Sequence, residues 1–151
     1  MQALLRALIL ALSLAPAGVL AADTAPEVSD RVLDDVAEAT AKKDWARAQA
    51  ILREALAANP GNADYHNLYA YSIRKSANPD MNLVFKHYNE ALRIDPKHRG
   101  AHEYIGEAYL MVNNVAKAKE HLAQLDKLCF FPCQEHRDLK RAISEYEGTR
   151  K

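Results

Sequence analysis

Glycine and proline are scarce in this chain, at five and six among 151 residues, which is too few for the turns of a β-sandwich of this size. Net charge is absent too: 20 Lys+Arg meet 20 Asp+Glu. Phosphate backbones call for a basic excess or a basic face, so nucleic acid is not the expected main partner. High net charge with low hydrophobicity is missing as well, which excludes general disorder. Catalytic signatures are equally thin. There is no Gly-rich phosphate loop, no H-E-x-x-H, no Ser-His-Asp order and no carboxylate pair at a mechanistic spacing. What the chain does have is a 49% hydrophobic composition in which Ala, Leu, Glu, Lys and Arg dominate. One mostly helical domain follows.

The first residues read differently from the rest. Arg6 gives a short positive region, Ala7-Leu8-Ile9-Leu10-Ala11-Leu12-Ser13-Leu14-Ala15 is an apolar run, and Pro16 and Gly18 break it before Val19-Leu20-Ala21. That order matches a secretory leader with a small-residue cleavage site. The run falls short of the roughly 20 residues a spanning helix needs. The expectation is a signal peptide at 1–22, export to a bacterial periplasm, and a flexible segment at 23–27. No stable membrane insertion is expected after cleavage. In that oxidising compartment the two cysteines gain a specific meaning.

Self-similarity organises the remainder. Arg53-Glu54-Ala55-Leu56 aligns with Asn89-Glu90-Ala91-Leu92, and the register holds through Pro60 against Pro96 and His66 against His102, a lag of 36 residues. A lag of 34 sets Val84, Tyr88 and Ala91 over Ala118, Leu122 and Leu125. Within each period the patterning gives two helices. The expected pairs are 32–42 with 45–57, 65–75 with a helix opening at Asn78-Pro79 and ending near 94, and 101–112 with 115–128. A last amphipathic helix lies between 132 and 146. Asn62 is placed to cap one helix, and Pro96 ends another through the residue before it.

These residues resemble the tetratricopeptide repeat family. The family pattern of a bulky residue, Leu-Gly, Tyr, Ala, a large apolar residue and Pro is met in one unit by His102, Ile105-Gly106, Tyr109, Ala118 and Leu122. The unit before it offers His66, Tyr69-Ala70, Ile73, Val84, Tyr88, Ala91 and Pro96; the first shows only Ala48, Leu52, Ala55 and Pro60. The resemblance implies an all-α, αα-hairpin solenoid of about three such repeats over 28–128, with close helix approach at Gly106, Ala70 and Ala48. A Cys-pair joint and capping helix would follow at 129–148, and a tail at 149–151. Departures from the pattern are two extra residues around 76–80, an opening helix without aromatic or Gly, and Phe130 in place of a Pro.

Such a fold implies a concave groove that takes an extended segment of a protein or peptide partner. The outward positions of the first helices supply the candidate groove: Asn67, Tyr71, Arg74, Lys75, Glu103, Glu107 and Leu110. Tyr71 and Arg74 are expected to face solvent there. No cofactor, catalytic residue or metal site is expected. His66 and His102 fill the family's bulky position, and Trp45 and Tyr104 read as core. The function implied is a non-enzymatic interaction adaptor or assembly factor. A periplasmic thiol–disulfide or metal-handling protein using Cys129 and Cys133, and a structural subunit of an envelope complex, are the alternatives.

Cys129-Phe130-Phe131-Pro132-Cys133 leaves three readings: a structural disulfide, a redox dithiol and a thiolate metal site. The compartment and the absence of any other Cys favour the first. The tail after it resembles small exported bacterial repeat proteins in which a C-x-x-x-C pair precedes a capping helix. That helix would bury Leu139, Ala142, Ile143 and Tyr146 and show Arg137, Lys140, Arg141, Glu145 and Glu147 to water.

Overall fold

The computed structural model describes residues 30–149. The expected leader at 1–22 and the segment at 23–27 lie outside the described residues, as do 28–29 and 150–151. The described residues are all-α: α1 (Arg31–Ala41), α2 (Trp45–Ala58), α3 (Ala63–Arg74), α4 (Met81–Ile94), α5 (Arg99–Met111), α6 (Val115–Leu128) and α7 (Gln134–Gly148).

Polar caps set most of the starts. Asp44 accepts from the Arg47 N–H, Asn62 from Tyr65, and Asn114 from Lys117, each satisfying an amide that the helix leaves without a partner. Asp80 does the same for Asn82 and Leu83. That places the start of α4 at Met81 rather than at Pro79. The correction has a simple cause: the Asp80 carboxylate reaches two N–H groups, so it outcompetes Asn78 as the cap. Prolines set two of the ends. Asn59 and Asp95 both leave helical geometry, at φ −136° and −126°, because the ring of the following Pro crowds a helical residue. The hinges before α2 and α6 turn through Lys43 and Asn113 at positive φ, 56° and 61°. Asn tolerates that conformation better than Lys does.

Each helix packs on the next in the chain, α3 also touches α5, and α7 folds back across both α5 and α6. Three apolar clusters result. Val36, Leu52, Ala55 and Tyr65 form the first, Ala70, Ile73, Val84, Tyr88, Ile105 and Ala108 the second, and Leu110, Ala118, Leu125, Leu139 and Ile143 the third. Tyr69 borders the first two and Tyr109 the last two, so the clusters run into one another. Gly106 explains how α7 comes so near. A Cβ there would stand 2.7 Å from both Leu139 methyls, so any other residue would force the Leu139 side chain to move. The close approach expected at Gly106 is thus to the final helix. Ala142 and Tyr146 complete that contact, while Arg137, Lys140, Arg141, Glu145 and Glu147 stay exposed.

Candidate functional site

The seven candidate groove residues do gather along α3 and α5, but most are covered. Asn67, Arg74, Leu110 and Glu103 are buried, Tyr71 and Glu107 are half-buried, and only Lys75 is exposed. The expectation that Arg74 faces solvent is therefore corrected. Its guanidinium lies under two rings, 5.4 Å from the Tyr71 centroid and 5.7 Å from that of Tyr104. Arg74 Nε donates to the Tyr88 hydroxyl at 3.3 Å, and Nη2 sits 2.7 Å from Glu107 Oε2. Spacing along one helix could not reveal this, because every covering group but Tyr71 comes from α4 or α5.

Above Arg74 runs a row of aromatic rings from three helices. Trp45 meets Tyr71 edge-on at 5.9 Å, and Tyr71 meets Tyr104 at 4.7 Å. Lys75 Nζ approaches the Tyr71 ring at 6.0 Å. Trp45 and Tyr104, read as core from the sequence, are half-buried members of this row. Partial exposure of large aromatics with few rotors is usual at contact surfaces.

Two hollows lie beside this region, one lined by Arg74 and the other by Tyr104. One, of about 410 Å³, is lined by Arg74, Glu107, Leu110, Met111, Ala142 and Tyr146 among others. The other, of about 320 Å³, is acidic: Glu103, Glu135 and Asp138 line it with Asn67, Tyr104 and Gln134. Sequence reasoning missed the α7 members of both, since the tail's return onto α5 is a long-range event. Burial, aided by Glu107, Asp138 and Glu135, pushes the Glu103 carboxyl up to about 8. Among the described residues no three His, Cys, Asp or Glu side chains converge as a metal-ligand set.

The histidines form a repeated device. His66 Nδ1 lies 2.8 Å from His87 Nδ1, and His66 Nε2 lies 2.9 Å from the Pro60 carbonyl. One period later His102 Nδ1 lies 3.0 Å from His121 Nδ1, and His102 Nε2 3.1 Å from the Pro96 carbonyl. With Nε2–H donating to the carbonyl, Nδ1 accepts from the second ring, so each bridge ties a turn to a helix while both rings are neutral. Burial and the facing imidazole lower His87 and His121 to about 4. His98 is separate: it caps α5 through Ala101 and pairs with Asp64.

These shifts oppose one another in stability. The His87 and His121 values lie below the ordinary 6.5, so their contribution is complete above that pH and is lost as pH falls toward 4. The Glu103 value is raised, so the folded state favours the protonated acid and stability declines as pH rises from 4.5 toward 8. Two histidines outweigh one carboxyl below pH 6.5, and the carboxyl acts alone above it. The expected result is a stability maximum near pH 6.5, with limbs of about 1–2 kcal/mol after solvent screening. Urea melts from about pH 4 to about pH 9 would measure it. Glu103→Gln should flatten the alkaline limb alone; an unchanged limb would reject the assignment.

The last sequence feature, the cysteine pair, is joined: the Cys129 and Cys133 sulfurs lie 2.08 Å apart, at disulfide distance. The loop they close carries Phe130 and Phe131 at 95% and 75% exposure, so the bridge shapes a projecting turn between α6 and α7. Nearby, His136 Nε2 lies 2.6 Å from Asp126 Oδ1 and Arg137 donates to the Pro132 carbonyl, which fix the angle at which α7 leaves the turn. No known family model matches the chain, and no curated protein matches it.

Proposed function

We propose that this protein is a non-enzymatic interaction adaptor or assembly factor, exported to a bacterial periplasm, that holds one segment of a protein partner. In this reading the helices are tetratricopeptide-like hairpins, about three of them stacked as a short solenoid and closed by α7. The paired bridges at His66–His87 and His102–His121 support the reading, because the same contact recurs at the spacing of the sequence register. The observation that carries the function is the half-buried row of Trp45, Tyr71 and Tyr104 from α2, α3 and α5, with one hollow lined by Tyr104 and another by the Arg74 that underlies the row. Aromatic side chains set beside pockets are what concentrates binding energy in protein interfaces.

The test is affinity capture from a periplasmic extract with wild type and with Tyr71→Ala/Lys75→Ala. Arg74 is left intact because it is internal. The double variant should lose at least about tenfold in partner affinity, the scale of one interface hot spot. Its melting curve should remain single and cooperative. Capture that is indifferent to both substitutions would place any partner on another face. The exported protein used for this should begin near Ala22 or Asp23; an intact Met1 would contradict the leader.

A further inference from the structure

The acidic hollow has a feature that its carboxylates alone do not explain. Asn67 lines it, is only 4% exposed, and its Oδ1 has no hydrogen-bond partner. An orphaned buried acceptor is costly unless a donor reaches it. Glu103 lines the same hollow at 9% exposure and has no ion-pair partner among the described residues. The other two carboxylates are engaged only at the rim, Glu135 at 3.6 Å from Arg99 and Asp138 at 2.8 Å from Arg141. Both of those arginines are more than half exposed, so these pairs are weak and exchangeable. Arg74, the nearest internal cation, is committed to Glu107 and Tyr88.

The hollow thus presents an amide oxygen without a partner, the Glu103 carboxyl, and two carboxylates held only by exposed arginines. The carboxylates do not converge as metal ligands. What fits is a molecular cation that brings several N–H donors on one rigid head, and a guanidinium does this best. We propose that the hollow between α3, α5 and the start of α7 receives the basic side chain of a partner segment, an arginine in preference to a lysine. Its N–H groups would donate to Glu103 and to Asn67 Oδ1, and its stem would lie on the Tyr104 ring at the end of the aromatic row. Glu103 gives up its proton as the cation seats, because the added positive charge favours the carboxylate. This rests on the adaptor reading and names one anchor of the segment that the aromatic row would hold.

The probe is a blocked peptide of one arginine flanked by alanines, titrated into the isotope-labelled full chain and followed by NMR. The peptide should shift the Asn67 side-chain amide signals and move the Glu103 carboxyl titration down from about 8. The matching citrulline peptide, neutral but of the same shape, should bind at least tenfold more weakly. Glu103→Gln should cost a similar factor, and Asn67→Leu a smaller one. Glu103→Gln relieves a buried acid, so it should fold at least as well as wild type, and Asn67→Leu is checked by its melting curve. Equal binding of the arginine and citrulline peptides, or an unmoved Glu103 titration, would overturn the proposal. Spermidine is the second probe: binding tighter than that of the arginine peptide would overturn the peptide source in favour of a free amine. The two readings fail separately. A partner captured by wild type and equally by Glu103→Gln rejects the arginine anchor and keeps the adaptor, whereas peptide binding without any captured partner does the reverse.

Discussion

Tyr88→Ala should lower the unfolding free energy by about 3–5 kcal/mol, the range for deleting a fully buried aromatic ring. Tyr88 has no exposed surface and belongs to the cluster with Ala70, Ile73, Val84, Ile105 and Ala108, which draws on α3, α4 and α5. Removing the ring leaves a cavity that three helices border, and none can close it without pulling away from its other neighbour. The hydroxyl adds a second cost, because Arg74 Nε would lose its acceptor in a buried place. Tyr88→Phe separates the two effects. It keeps the ring and should cost about 1–3 kcal/mol, the range for leaving a buried donor without its acceptor, toward the lower end since 3.3 Å is long for this bond. Urea unfolding of both variants gives the comparison. A loss under about 0.5 kcal/mol for Tyr88→Ala, as surface positions show, would mean that the ring is not between the helices at all.

Tyr88 was legible as a core residue because its periodicity is local. The same holds for the seven helices: apolar residues at three- and four-residue spacing, caps such as Asn62, and stops before Pro60 and Pro96 all act within a few residues. Three helix starts were misread by two residues, 65 for Ala63, 79 for Met81 and 101 for Arg99, and the Met81 case depended on which of two neighbouring polar side chains won the same amides. The register at His66 and His102 was visible too. Their partners His87 and His121 were not, since each bridge joins the first helix of a pair to the second. The candidate site was less legible still. Tyr71 and Lys75 were found on α3, but Trp45, Tyr104, Gln134, Glu135 and Asp138 join them only through packing between helices far apart in the chain. Outward position on one helix says nothing about what the next helix lays over it.

Arg74 is where that difference has its largest energetic consequence. Read along its own helix it is a solvent-facing groove residue, and Arg74→Ala should then be almost silent in a melt. In the folded chain its side chain is 6% exposed, so removing it should cost about 3–5 kcal/mol, as breaking a buried ion pair from one side does. Three losses contribute. Glu107 keeps a charge with no partner, near a second carboxylate at Glu103 that it already disfavours. The Tyr88 hydroxyl loses the donor that reaches it, and the rings of Tyr71 and Tyr104 lose a cation worth about 0.5–2 kcal/mol beside a desolvated face. Glu107 is 29% exposed, and the water it keeps should hold the total toward the lower end. A double-mutant cycle tests the pairing itself. Arg74→Met alone leaves the carboxylate and Glu107→Gln alone leaves the arginine without its counter-charge, and Arg74→Met with Glu107→Gln removes both charges while preserving the stem. The double variant should be more stable than the sum of the single losses by about 1–3 kcal/mol, the range for residues in direct contact. Additive losses would show that the two charges do not interact. A silent Arg74→Ala would return the residue to the surface, and with it the aromatic row would lose the cation that underlies it.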